Sequence, residues 1–167
     1  KGNSIGTIGG NINLTSTGSD YDYGVYFDNG YTGSAAINSA ISLKGKSAGV
    51  FSAVKPIVFN GTVNMDTSSS LLSADSIGLL YQITGASPAG NIVTNNGTLN
   101  AAAGTGIYIH NNSTALGKTV INNAGKSINI SGGGVGIAAE SAAYSSGDKL
   151  DIINNGLISN VSSSTAN

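Results

Sequence analysis

Residues 95–100 read Asn-Asn-Gly-Thr-Leu-Asn, and residues 104–108 read Gly-Thr-Gly-Ile-Tyr. The first segment places an Asn-Gly turn signal before a short apolar strand, and the second places a glycine before another strand. Both segments recur along the chain at intervals of about 28 residues. Because a period of roughly 20–50 residues is typical of stacked repeats, the repeat rather than local propensity decides the fold.

Three short motifs recur in a constant order. The first is a glycine followed by a branched apolar residue, and it begins at Gly24, Gly49, Gly78, Gly106 and Gly136. The second is an apolar residue followed by Asn or Ser, and it begins at Ile12, Ile41, Val63, Leu99, Ile128 and Ile158. The third is an apolar segment that runs into a turn, at residues 57–61, 92–97, 120–125 and 152–156, with a degenerate copy at 36–40.

Each period therefore contains three short strands, none of which buries a face alone. Stacking them coil on coil predicts an all-β, right-handed parallel β-helix of about five to six coils of ~28 residues. Residues 1–167 are expected to be one segment of a longer repeat array. Inward ladders are predicted from Ile12 to Ile158 and from Val25 to Ile137. A β-sandwich is the alternative, but it has no reason to repeat three motifs in order.

The turns carry further expectations. Asn60, Asn96, Asn123 and Asn155 are expected to stack, with side-chain amides bonded from coil to coil. The Asn-Gly pairs are expected in turns that need positive φ. Spacings of 22 and 36 residues between second motifs indicate uneven coils, with extra loop expected at residues 65–70 and 85–90.

The amino-acid composition argues against several classes of function. Gly, Ser, Asn and Thr make up 82 of the 167 residues, and there is no Arg, Cys or Trp. The absence of Cys excludes disulfides and thiolate sites, and a net charge of −1 argues against nucleic acid. The lone His110 is expected at a strand end, as a surface turn residue rather than a ligand or a base. The chain is predicted not to be an enzyme and to need no cofactor or metal. A polysaccharide-acting β-helix enzyme is the alternative, although its carboxylates would have to cluster.

Residues 20–31 hold three of the eight acids and five of the ten aromatic residues. Rings stack on sugar C–H groups while carboxylates accept hydroxyl hydrogen bonds, so this segment is the candidate ligand-binding site. Its predicted residues are Asp20, Tyr21, Asp22, Tyr23, Tyr26, Asp28 and Tyr31. The alternatives are a calcium site formed by Asp20, Asp22, Asp28 and Asn29, and a solvated loop that binds nothing.

A second candidate surface lies along the rod. Strand alternation places Tyr26, Phe51, Leu80 and Tyr108 outward if the aliphatic residues before them point inward. They would then form an exposed apolar stripe suited to protein contact. The alternatives are cover by a neighbouring loop and inversion of the strands, which would make these residues core.

The pattern Asn-Asn-Gly-x-Leu/Ile-Asn followed by Gly-Ile-Tyr, on a background without cysteine, resembles the passenger domains of type V autotransporters. It is most similar to the large fusobacterial outer-membrane autotransporter adhesins. Residues 95–108 match best, residues 154–158 match the first half, and the similarity covers most of the chain from about residue 8 as a repeat style. Such coils also occur in filamentous haemagglutinin-like and other surface rods.

This resemblance implies a secreted virulence adhesin on the bacterial cell surface, carried through the outer membrane by a C-terminal barrel that these residues do not include. Contact with a membrane would run only through that barrel. The implied partners are glycans or proteins of host cells or of other bacteria. A self-association module is a further alternative, because open coil ends or the apolar stripe could pair with a second copy.

Overall fold

The computed structural model describes residues 7–17, 20, 22–28, 36–65, 76–101, 104–111, 113, 117–131, 134–139 and 150–160. In these ranges all regular structure is β-strand, and the first strands are β1 (Thr7–Ile8), β2 (Asn11–Thr15), β3 (Asp22–Phe27), β4 (Ala36–Ile37), β5 (Ala40–Lys44) and β6 (Ser47–Ser52). Next come β7 (Ile57–Phe59), β8 (Thr62–Met65), β9 (Ser76–Ile83), β10 (Gly90–Asn95), β11 (Thr98–Ala101) and β12 (Thr105–Asn111). The last are β13 (Lys118–Asn122), β14 (Ser127–Ile130), β15 (Val135–Ala139), β16 (Leu150–Asn154) and β17 (Leu157–Asn160).

Every third strand belongs to the same parallel sheet. Sheet 1 is β1-β4-β7-β10-β13-β16, sheet 2 is β2-β5-β8-β11-β14-β17, and sheet 3 is β3-β6-β9-β12-β15. This is a β-solenoid of about four turns with about 29 residues per turn. Sheet 3 illustrates the number of turns, because the chain makes four turns around the axis between the first and the last of its five described strands. The predicted fold class is therefore confirmed, while five to six coils is slightly too many.

Both predicted inward ladders are present. In sheet 2 the paired column is Ile12, Ile41, Val63, Leu99, Ile128 and Ile158, and in sheet 3 it is Val25, Val50, Leu79, Ile107 and Ile137. The middle members of both columns have no exposed surface, whereas Ile158 in the last described coil is 37% exposed. Burying each aliphatic side chain contributes about 1.5–3 kcal/mol, so the stacked columns are the main source of stability.

The glycine of the first motif is required by close packing. An added Cβ on Gly49 would lie 2.8 Å from the carbonyl oxygen of Gly78, and one on Gly78 would lie 2.6 Å from that of Gly106. The same conflict recurs at Gly106, where the carbonyl oxygen of Gly136 would be 2.7 Å away. Each glycine therefore lets the backbones of successive coils approach at the start of the sheet 3 strand.

The Asn-Gly corners correct one expectation. Gly61 and Gly97 do not have positive φ, and none of the described non-glycine residues does. A Cβ on Gly97 would instead collide with the carbonyl oxygen of Gly61, and one on Gly61 with that of Ser39. The corner between sheets 1 and 2 is tight, so the glycine is needed for space rather than for a left-handed turn.

The expected asparagine ladder runs along this corner. Asn96 donates from Nδ2 to Oδ1 of Asn60 at 3.0 Å, and Asn123 donates to Oδ1 of Asn96 at 2.6 Å. The ladder extends to Asn38, which accepts from Asn60 at 2.8 Å. These bonds confirm the prediction for Asn60, Asn96 and Asn123 and tie together coils that no disulfide joins.

A second asparagine ladder lies inside the solenoid. Asn95 donates from Nδ2 to Oδ1 of Asn122 at 2.8 Å, and Asn122 donates to Oδ1 of Asn154 at the same distance. Asn95 and Asn122 have no exposed surface. The amide bonds satisfy groups that would otherwise be buried without partners, and they also fix the register of sheet 1.

The uneven coil lengths come from the connections. The link from β9 to β10 covers residues 84–89, two residues more than the link from β6 to β7 at residues 53–56. Of the extra loop expected at residues 85–90, residues 85–89 lie in this link and Gly90 begins β10. The expected extra loop at residues 65–70 lies outside the described residues except for Met65, which ends β8.

Candidate binding surface

The outward face of sheet 3 carries the predicted apolar stripe. Tyr26, Phe51, Leu80 and Tyr108 pair in register across β3, β6, β9 and β12, opposite to the inward column of Val25 and its partners. Strand alternation therefore places all four outward, as expected. A parallel outward column begins at Tyr23 and continues through Ala48 and Ile77.

Three rings cluster at the first coil of this face. The rings of Tyr26 and Phe51 are stacked, with centroids 5.0 Å apart and planes inclined by 12°. The ring of Tyr23 is tilted against both, with centroids 5.4 Å from Tyr26 and 5.0 Å from Phe51. Aromatic contacts of this kind hold ring orientations in place, so the exposed tyrosine faces are preorganised.

The stripe is less exposed than the sequence suggests. Tyr26 is 56% exposed and Tyr23 is 37% exposed, but Phe51 and Leu80 are only 8% and 7% exposed. The two buried side chains form an outer apolar cluster with Ala48, Ala53 and Ile77, and Tyr108 packs against it. The expectation of a continuously exposed stripe is therefore wrong in its middle, because Ala53 and Val54, which follow β6, pack in the cluster with Phe51 and Leu80.

A groove lies within this cluster. Its volume is about 250 Å³, and it is lined by Tyr23, Phe51, Ile77, Leu80, Gln82, Tyr108 and His110. Tyr23 stands at the first coil and Tyr108 at the fourth, while the floor between them is aliphatic and aromatic. Gln82 pairs with His110 in the next outward column, so one edge of the groove is polar.

Three carboxylates and the Tyr23 hydroxyl lie at the first coil of this face. Asp20, Asp22 and Asp28 are all exposed on the residues that flank or form β3. Burial, followed by the neighbouring Tyr26 and the carboxylate of Asp20, raises the pKa of Tyr23 above its ordinary value. The Tyr23 hydroxyl, protonated at neutral pH like that of any tyrosine, can donate a hydrogen bond.

Two of the predicted ligand-binding residues, Tyr21 and Tyr31, lie outside the described residues, as does Asn29 of the calcium alternative. His110 is the second-last residue of β12, so its expected place at a strand end is confirmed. It belongs to the strand, with its ring 6.3 Å from that of Tyr108, rather than to a surface turn. Repeat counting missed this because β12, at seven residues, extends beyond its motif.

The described residues contain no group of three or more His, Cys, Asp or Glu side chains placed to hold a metal ion. In the same ranges, no helix is long and apolar enough to cross a membrane.

The outward face of sheet 2 is an amide surface that the sequence argument missed. Asn100 donates to Oδ1 of Asn64 at 2.7 Å, Asn129 donates to Oδ1 of Asn100 at 2.8 Å, and Ser159 donates to Oδ1 of Asn129 at 3.1 Å. Open grooves of about 350 and 400 Å³ flank this ladder. The middle residue of the second motif is the signal that could have predicted it, since it is Asn or Ser in every copy.

Comparison with known proteins gives no relative: no family model, no curated protein and no solved structure matches this chain.

Proposed function

We propose that the chain is a non-catalytic segment of a secreted bacterial surface adhesin, a β-solenoid rod that displays a binding surface to host cells or to other bacteria. The observation that carries the proposal is the aromatic surface of Tyr23, Tyr26 and Phe51 on sheet 3, held by an in-register parallel stack. Solvent-facing tyrosines with low side-chain entropy are typical of recognition surfaces.

The scaffold supports this role. Three sheets share one repeat, and amide ladders run along a corner, along the outside of sheet 2 and through the core. A stack of this kind adds length without changing its cross-section, so a binding surface can be carried away from the cell as coils are added. The bacterial cell surface is accordingly the proposed location.

Binding of the fluorescently labelled chain to intact epithelial cells and to intact bacteria tests the proposal. We expect saturable binding that is strongly reduced in a double variant, Tyr23→Ser with Tyr26→Ser. Ile121→Ser is the matched control, because Ile121 is a half-buried apolar residue on the outward side of sheet 1. Absence of saturable binding by the folded chain, or equal binding by the double variant, would contradict the proposal.

A second candidate is self-association, which one observation favours. Tyr23 and Tyr26 on the outward face of sheet 3 are 37% and 56% exposed. Exposed apolar patches of this kind mark surfaces for protein contact, including contact with a second copy. Sedimentation at increasing concentration would separate the two functions, since a monomer over the whole range excludes self-association. For the polysaccharide-acting enzyme, release of reducing sugar from candidate glycans is the corresponding assay.

A further inference from the structure

The groove on sheet 3 extends further than the segment the sequence singled out. From the shape and chemistry of this groove, we infer that it binds about one or two rings of a neutral sugar, with Tyr23 and Tyr108 as its walls. This inference rests on the proposed function, because it names the ligand class of the same displayed surface.

Size restricts the occupant. The groove has a volume of about 250 Å³, below the roughly 300–1,000 Å³ of sites that enclose drug-sized molecules. Its walls stand three coils apart, about 14 Å at ~4.8 Å per coil. A pyranose ring is of a size that fits such a space.

The lining has the two kinds of group that a sugar requires. Tyr23, Phe51 and Tyr108 supply ring surface for the C–H faces, and Leu80 and Ile77 supply an apolar floor. Gln82 and His110 supply amide and imidazole groups along one edge, where hydroxyl groups can exchange hydrogen bonds.

Charge selects a neutral sugar over an acidic one. The carboxylate of Asp20 interacts electrostatically with Tyr23, and the chain contains no Arg to form a bidentate pair with a ligand carboxylate. An anionic sugar at the Tyr23 wall would therefore face Asp20 without a guanidinium partner. The floor side chains are buried and belong to paired strands, so little ordering is needed on binding.

The test is a titration of the isotopically labelled chain, followed by amide NMR shifts, with galactose, N-acetylglucosamine and N-acetylneuraminic acid. We expect saturable shifts of groove residues such as Leu80 and Gln82 with the two neutral sugars, in the millimolar range typical of small ligands. The acidic sugar should bind more weakly than both.

Variants locate the site. Tyr108→Ser and Tyr23→Ser should each weaken the binding of neutral sugars about tenfold through lost ring contact. Ile121→Ser on sheet 1 should leave it unchanged. Far-ultraviolet circular dichroism would check that each variant is folded. If Tyr108→Ser does not fold, Tyr23→Ser tests the groove.

Different results would contradict the sugar-binding groove and the proposed adhesin function. Absence of saturable shifts with any neutral sugar, or undiminished binding by both folded Ser variants, would overturn the groove inference. If the wild-type chain still bound cells in that case, the proposed function would stand without a sugar ligand. Conversely, saturable sugar binding in the groove without any cell binding would support the groove and contradict the adhesin role.

Discussion

Asn95 donates a 2.8 Å hydrogen bond from Nδ2 to Oδ1 of Asn122, although both side chains are completely buried. Its own Oδ1 accepts from the backbone N–H of Gly97 at 3.1 Å. The amide therefore links one coil to the next and also holds the corner that follows it. Polar groups fully satisfied in this way add specificity of register to an otherwise aliphatic core.

Removal of one asparagine side chain from the buried ladder should lower the stability of the fold. Asn122→Ala removes the acceptor of the buried Asn95 Nδ2, which keeps only a 3.4 Å bond to the carbonyl oxygen of Gly97, and we expect it to lower the free energy of unfolding by about 2–3 kcal/mol. Asn129→Ala, on the outside of sheet 2, should cost less than about 1 kcal/mol because water can replace the lost amide. Urea unfolding measures both values, and equal losses would contradict this explanation.

Substitution in the close-packed glycine column should destabilise the stack. Gly78→Ala would place a methyl group 2.6 Å from the carbonyl oxygen of Gly106, so strands β9 and β12 would have to separate. We expect a loss of at least about 2 kcal/mol. Gly85→Ala is the control, because nothing lies within 4 Å of its Cβ position. Thermal unfolding of both variants checks the prediction, and similar melting temperatures would refute it.

Tyr81 offers a stabilising substitution. Its ring lies in the core, and its hydroxyl has no aligned hydrogen-bond partner. The nearby Ser87 hydroxyl instead bonds the carbonyl of Ala53 at 2.6 Å and accepts from the N–H of Thr84 at 2.9 Å. Tyr81→Phe should therefore raise the free energy of unfolding by about 1 kcal/mol at neutral pH. A clear loss of stability in urea unfolding would show that the hydroxyl has a partner after all.

Stability should fall in alkali. Burial raises the pKa of Tyr81, with Ser87 partly offsetting the effect, and burial with Tyr26 and Asp20 raises the pKa of Tyr23. The unfolded chain then loses these protons at lower pH than the folded chain, so stability is complete below about pH 10 and declines above it. Urea midpoints at about pH 9 and about pH 11 measure the decline. Tyr81→Phe should reduce it, and an unchanged slope would exclude Tyr81 as its source.

Much of the core was predictable because the repeat carries it. Ile41, Val63 and Leu99 occupy the same position in a motif, and parallel pairing places equal positions on top of one another. The burial of Asn95 was not within reach of the sequence. Ile92 and Val93 are both fully buried, and strand alternation counted from one places Asn95 inward while counted from the other places it outward.

The candidate site was predictable only in part. Tyr23 and Tyr26 stood out by composition, but Gln82 and His110 did not, because nothing in their local sequence marks them. Their place beside Tyr108 follows from the register of β9 on β12, which brings residues 28 positions apart into contact. The buried state of Phe51 and Leu80 likewise depends on side chains from other coils.

By itself, the sequence determined the solenoid, its repeat, its inward aliphatic columns and its corner asparagine ladder, because each follows from equal spacing along the chain. Only the tertiary structure decided why the corner residues are glycines, which asparagines are buried and where the groove lies. These features depend on distances between coils, such as the close approach of Gly97 to Gly61, and such distances exist only once the coils are stacked.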